Sequence, residues 1–158
     1  MTEQATPQGP QVNIQKIYLK DASFESPRSP DIFKGAEWKP EVNLQVNTET
    51  TKIGDSDYEV CLTLTATAVD GEDTIYLVEI KQAGIFNLTG FEQQQLQTIL
   101  GTFCPTNLFP YAREAISSLV ERGGFPQLLL QPINFDALYQ QHVQKLQQTE
   151  QADTEIAH

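Results

Sequence analysis

The chain has 158 residues, 21 acidic and 10 basic, for a net charge of −11. That length fits one domain with a real core, and a hydrophobic content of 39% places it among globular proteins. The acidic balance repels phosphate backbones and anionic membranes, and no apolar run approaches the roughly 20 residues needed to cross a bilayer.

Residues 1–11 are polar, with Pro7, Gly9 and Pro10 but no basic start or apolar stretch. They are expected to form a disordered tail and not a secretory signal. A first strand is expected over about 12–20. Val12, Ile14 and Tyr18 share one parity, Ile17 and Leu19 the other, so both faces of this strand want cover from the chain or from a partner. Residues 21–40 read as a loop holding Pro27, Pro30 and Pro40, yet they also carry Phe24, Ile32, Phe33 and Trp38. A second strand alternates over about 41–48, the polar segment Thr48 to Asp57 turns the chain, and a third strand runs over about 58–69. Asp70-Gly71 is a hairpin signal, and a fourth strand over about 74–82 completes an antiparallel meander. In that strand Ile75, Leu77, Glu79 and Lys81 share one face, and Tyr76, Val78, Ile80 and Gln82 the other.

The period then changes to that of helices. Thr89-Gly90-Phe91-Glu92 has capping-box spacing and is expected to open a short helix through Leu96 and Leu100. Pro105 interrupts it, and Pro110 suits the first turn of a second helix that ends at Gly123-Gly124. The run Leu128-Leu129-Leu130 lies between Pro126 and Pro132 as an extended crossing segment. Asn134 is placed to cap a last helix whose apolar stripe is Phe135, Leu138, Tyr139, His142, Val143 and Leu146. Residues 147–158 are polar and are expected to be disordered.

Little in the chain points to catalysis. Cys61 and Cys104 read as free thiols in a reducing cytoplasm. Cys104 paired with His142 is the thinnest of nucleophilic arrangements and would make a small-molecule hydrolase, against the plainer reading of a structural thiol and a helical histidine. No spacing suits a metal site and no glycine-rich phosphate loop occurs; Gly84 and Gly90 read as turn glycines. Asp21 and Glu25 are the best carboxylate pair, readable as solvated loop acids or as a partner contact. The aromatics of the 21–40 loop, placed under the last helix, form either a satellite of the core or a groove for extended apolar segments.

The segment Ile17-Tyr18-Leu19-Lys20-Asp21-Ala22-Ser23-Phe24-Glu25-Ser26-Pro27 resembles the corresponding opening of the SecB protein-export chaperones. So do Gly84-Ile85-Phe86, Asn107-Leu108-Phe109-Pro110-Tyr111-Ala112-Arg113-Glu114, Gly124-Phe125-Pro126-Gln127-Leu128, and Pro132-Ile133-Asn134-Phe135-Asp136-Ala137-Leu138. The resemblance is collinear over residues 12–146, leaving polar tails at 1–11 and 147–158. It implies an α+β fold, a four-stranded antiparallel sheet with helices packed on one face, assembled as a homotetrameric dimer of dimers. It implies no enzymatic activity, no cofactor and no metal in this chain, a cytoplasmic location and no membrane insertion. The implied work is to keep unfolded preproteins translocation-competent and deliver them to the SecA ATPase at the inner membrane. The alternative is control of a toxin–antitoxin system.

Carried over position by position, Asp21, Glu25, Leu77 and Glu79 match the acidic sheet surface that receives the zinc-bearing C-terminal tail of SecA. Tyr76, Val78, Ile80 and Gln82 match positions linked to subunit assembly and to substrate binding, and the helix bearing Arg113, Ile116 and Val120 matches the interface between dimers. Phe24, Phe33, Trp38, Phe135, Leu138 and Tyr139 are the expected lining of the client groove. The chain departs from the family pattern at Val78, where cysteine also fits, and at Ala83, where glycine is usual.

Overall fold

The computed structural model describes residues 9–35 and 39–156. Four strands, β1 (Gln11–Glu25), β2 (Glu41–Lys52), β3 (Asp57–Asp70) and β4 (Asp73–Thr89), form one antiparallel sheet in the order β1-β4-β3-β2. Three helices follow, α1 (Gln93–Gly101), α2 (Phe103–Arg122) and α3 (Phe135–Ile156), and a short 3-10 turn at Asp31–Lys34 lies between β1 and β2. The architecture is α+β, as expected. Only β2, β3 and β4 make a meander, however. β1 crosses to the far side and pairs with β4, a Greek-key arrangement.

β1 corrects the reading of a strand with two apolar faces. Its pairing with β4 slips between Ile14 and Lys16 and again between Leu19 and Asp21. Each β-bulge inserts one residue and reverses the parity of those beyond it. Val12 and Ile14, then Ile17 and Leu19, then Ala22 and Phe24 therefore all lie on the face opposite Leu88, Phe86, Gly84, Gln82, Ile80 and Val78. One face of β1 is apolar throughout. The strand also runs through Glu25, so Asp21 to Glu25 belong to the sheet and not to a loop.

The other strands are longer than alternation alone predicts. β2 stays paired with β3 as far as Lys52, which lies in the segment expected to turn the chain, and β4 continues to Thr89 with Gly84 in mid-strand. Gly71, at φ +63, supplies the turn between β3 and β4. Because β4 occupies Thr89, helix capping moves three residues on: the Glu92 N–H donates to the Gln95 side chain at 3.3 Å. Pro105 and Pro110 both fall within α2. Pro105 sits in the first turn, where its missing N–H costs nothing. Pro110 is mid-helix, and the helix continues because its other face is buried.

That face carries Leu108, Ala112, Ile116 and Val120, all fully buried. They pack on Val60, Leu62, Leu64, Val78, Ile80 and Phe86 in one cluster. Gly84 lets α2 come close, since a Cβ there would lie 3.1 Å from Leu108 Cδ2. Asn134 caps α3 as expected, accepting from the Ala137 N–H at 3.0 Å. α3 runs to Ile156, through most of the stretch expected to be a disordered tail. Phe135 is its buried anchor.

Candidate functional site

Alternation along the strands puts Asp21, Glu25, Leu77 and Glu79 on the sheet face away from the helices. Across the β1–β4 pair Glu25 lies opposite Leu77, Ser23 opposite Glu79 and Asp21 opposite Lys81. Glu25 and Glu79 thus flank one half-buried leucine, with Asp21 further along β1 opposite Lys81. β3 extends this face with Thr67, Thr65 and Thr63, the partners of Leu77, Glu79 and Lys81, and β2 adds Asn43, Gln45 and Asn47. Among the described residues none of the three acids has an ion pair, and with Lys81 the one cation set among them on this face the patch stays net negative. The Thr65 hydroxyl donates to Glu79 Oε2 at 3.0 Å.

Lys20, in the second bulge, is drawn off this cluster. Its Nζ lies 2.7 Å from Glu59 Oε1, and the Tyr18 hydroxyl donates to the other oxygen of the same carboxylate. The Lys20 bond first, then that of Tyr18, holds Glu59 below the usual carboxylate range. Burial, then Glu59, pushes the Tyr18 phenol up to about 12. A depressed carboxylate pKa adds stability above its unfolded value and loses it as pH falls through the folded value. With an exposed lysine as partner the amount is small.

The six residues expected to line a single groove fall in two places, and Trp38 lies outside the described residues. Phe24 and Phe33 join Tyr76 and Phe125 at one end of the sheet. Their ring centroids are 6.0 Å apart for Phe24–Tyr76, 5.3 Å for Phe33–Phe125 and 5.1 Å for Tyr76–Phe125. Phe33 and Tyr76, with Val42 and Leu128, line an open groove of about 650 Å³. Phe135, Leu138 and Tyr139 line a second groove of about 420 Å³ between α3, the end of α1 and residues Val46, Thr48 and Thr50 of β2. Both grooves touch β2, one at Val42 and the other at Val46, roughly 13 Å apart along the strand. β2 is an edge strand paired only with β3, so its outer row of backbone N–H and C=O groups has no partner strand.

Glycines seat the rings in both grooves. A Cβ on Gly123 would lie 2.3 Å from Phe24 Cζ, and one on Gly101 2.5 Å from Tyr139 Cδ2. Gly124 adopts φ +88 beside the Phe33 ring. In the sequence, residues 123–124 signal only a helix stop. That pattern leaves out Gly101 and Phe125, although a glycine pair directly before an aromatic residue is itself a signal of close packing.

The residues expected at the subunit interface lie along the contact between β4 and α2. Tyr76, Val78, Ile80, Gln82, Ile116 and Val120 are buried within the single chain, beneath α2 or on its sheet-facing side, and Tyr76 also lines the larger groove. Arg113 is half-buried, its guanidinium 5.5 Å from the Phe109 ring centroid. The exposed apolar groups nearby are Leu19 on β1 and Phe103 and Tyr111 on α2.

Cys104 is fully buried, and burial pushes its thiol up to about 12, so it is a poor nucleophile. His142 is exposed on the rim of the second groove. Among the described residues no cluster of His, Cys, Asp and Glu could hold a metal, and no helix is long and apolar enough to cross a membrane.

A net acidic sheet face, two grooves with aromatic walls and an open sheet edge define a protein suited to binding other polypeptides. The family described as SecB, preprotein translocase subunit SecB, matches residues 5–146, and the chain belongs to the SecB family of chaperones. Its fold is similar to that of a Mycobacterium tuberculosis SecB-like chaperone solved with a ChAD peptide from the HigA1 antitoxin. That match has a TM-score of 0.64 at 18% identity and covers 77% of this chain and 90% of the other. A protein of unknown function from Streptococcus agalactiae matches at a TM-score of 0.42 and 10% identity, over 78% of this chain and 98% of its own.

Proposed function

We propose that this chaperone captures unfolded preproteins in the cytoplasm and passes them to the SecA ATPase for export, with no catalytic step and no cofactor of its own. The observation that carries the reading is the pair of apolar grooves opening along the free edge of β2. An extended client can place apolar side chains in both grooves while its backbone pairs with the edge, a mode that recognises unfolded chains without reading their sequence. Two modest contacts on one client add through effective concentration, and several copies in an oligomer add further. Release has no nucleotide to drive it, so a competing contact must do so. The acidic face around Leu77 supplies one, with Asp21, Glu25 and Glu79 meeting the C-terminal tail of SecA.

The working unit in this reading is a homotetramer, a dimer of dimers. Its contacts between copies fall to the exposed Leu19, Phe103 and Tyr111. A second reading, control of a toxin–antitoxin pair, draws on the antitoxin peptide held by the M. tuberculosis relative. The acidic trio on the outer face favours export.

One experiment tests the main reading. The purified chain is titrated with a denatured export precursor and, separately, with SecA, and its mass is measured by light scattering. Binding of both at tetramer mass is the expected result. Binding of an antitoxin peptide without SecA would favour the second reading, and a monomer at micromolar concentration would remove the tetramer.

A further inference from the structure

We propose that Thr65 is a positioning residue of the acidic face, holding the Glu79 carboxylate where a docking partner meets it; this rests on reading that face as the SecA site. Thr65 and Glu79 are direct partners across the β3–β4 pair. The Thr65 hydroxyl donates to Glu79 Oε2 at 3.0 Å, with both side chains half-buried.

The chemistry favours a dedicated role. A threonine in a strand has few χ1 choices, so its hydroxyl is aimed by the backbone. A glutamate has three free torsions and orders only when something holds it. Lys81 lies two residues along β4 on the same face, and an untethered Glu79 can swing toward that ammonium. Such a pair would cancel one of the three charges that a cationic segment would meet. In the structure Glu79 makes no ion pair with Lys81 and is bonded to Thr65 instead. The neighbouring Thr67 and Thr63 lie opposite Leu77 and Lys81, so of the three threonines only Thr65 faces a carboxylate.

Thr65→Val removes the donor with almost no change in shape, charge or strand preference, and Thr65→Ser keeps the donor. SecA binding is measured for both, for Glu79→Gln and for the Thr65→Val/Glu79→Gln double variant, with precursor binding and melting temperature in parallel. Thr65→Val is expected to weaken SecA binding about three- to tenfold and leave precursor binding unchanged. Thr65→Ser is expected to bind SecA like the wild type, and Thr65→Val to add nothing in the Glu79→Gln background. Should Thr65→Val lower the melting temperature, Thr65→Ala replaces it in the same cycle. Wild-type binding by Thr65→Val beside a weakened Glu79→Gln overturns the inference, as does an equal loss in both backgrounds. A Glu79→Gln variant that binds SecA normally overturns the docking reading itself.

Discussion

Glu79→Lys is expected to weaken SecA binding by about tenfold or more at low salt, because like charges set against each other cost several kcal/mol at an interface. Glu79 stands between Leu77 and Lys81 on the outer face, so the variant puts two ammonium groups two residues apart in the middle of the acidic cluster. Asp21→Lys does the same beside Lys81 on the neighbouring strand. The loss shrinks as salt rises, since these side chains lie within reach of screening ions. Client capture is expected to stay unchanged, because both grooves open on the helix side of the sheet. A titration of each variant with SecA and with a denatured precursor separates the two activities. If both affinities fall together, the two faces do not have separate tasks.

The meeting of Asp21, Glu25, Leu77 and Glu79 could be read from sequence only through family likeness. Alternation placed Leu77 and Glu79 correctly on one face of β4. It failed on β1, where two bulges break the period, and Asp21 and Glu25 were read as loop residues for that reason. A bulge leaves no mark in composition; its trace is an apolar pattern that changes parity, which a single-period reading takes for a strand with two apolar faces. The helices failed differently. Local rules ended one helix at Pro105 and began another at Pro110, but the burial of Leu108, Ala112 and Ile116 against the sheet carries a single helix through both. The split of the expected groove was illegible because it depends on where β2 ends laterally and on which rings the glycines admit.

The same sheet serves both surfaces by alternation alone. In β4, Glu79 faces outward between Val78 and Ile80, which are fully buried under α2. Glu79 is therefore mounted on a strand whose other face is packed into the core. The Glu79 carboxylate, already bonded to Thr65, loses little freedom when a partner docks, which lowers the cost of association. The grooves are built the opposite way, from the 3-10 turn, the segment after α2 and an α3 held by one buried phenylalanine.

Gly123→Val is expected to give the largest loss of client binding for the smallest change in chemistry. Its Cβ would occupy a point 2.3 Å from Phe24 Cζ, 2.6 Å from Phe24 Cε1 and 3.2 Å from Phe125 Cδ2. Both rings contact Tyr76, Phe24 stacked at 6.0 Å and Phe125 tilted at 5.1 Å between centroids, so neither can move without disturbing a third. Overpacking of this kind costs about 1–3 kcal/mol, visible as a lower urea midpoint. The displaced rings also push on Phe33, whose centroid is 5.3 Å from that of Phe125, and Phe33 is a wall of the larger groove. Precursor affinity should fall with the stability, while SecA binding at the outer face persists. Phe24→Leu, which trims the ring that Gly123 makes room for, is expected to restore part of both losses in the Gly123→Val background, because the two substitutions meet at one point and cannot be additive. If the double variant is as impaired as the sum of the singles, the glycine serves only to end α2, and the aromatic seat plays no part in holding clients.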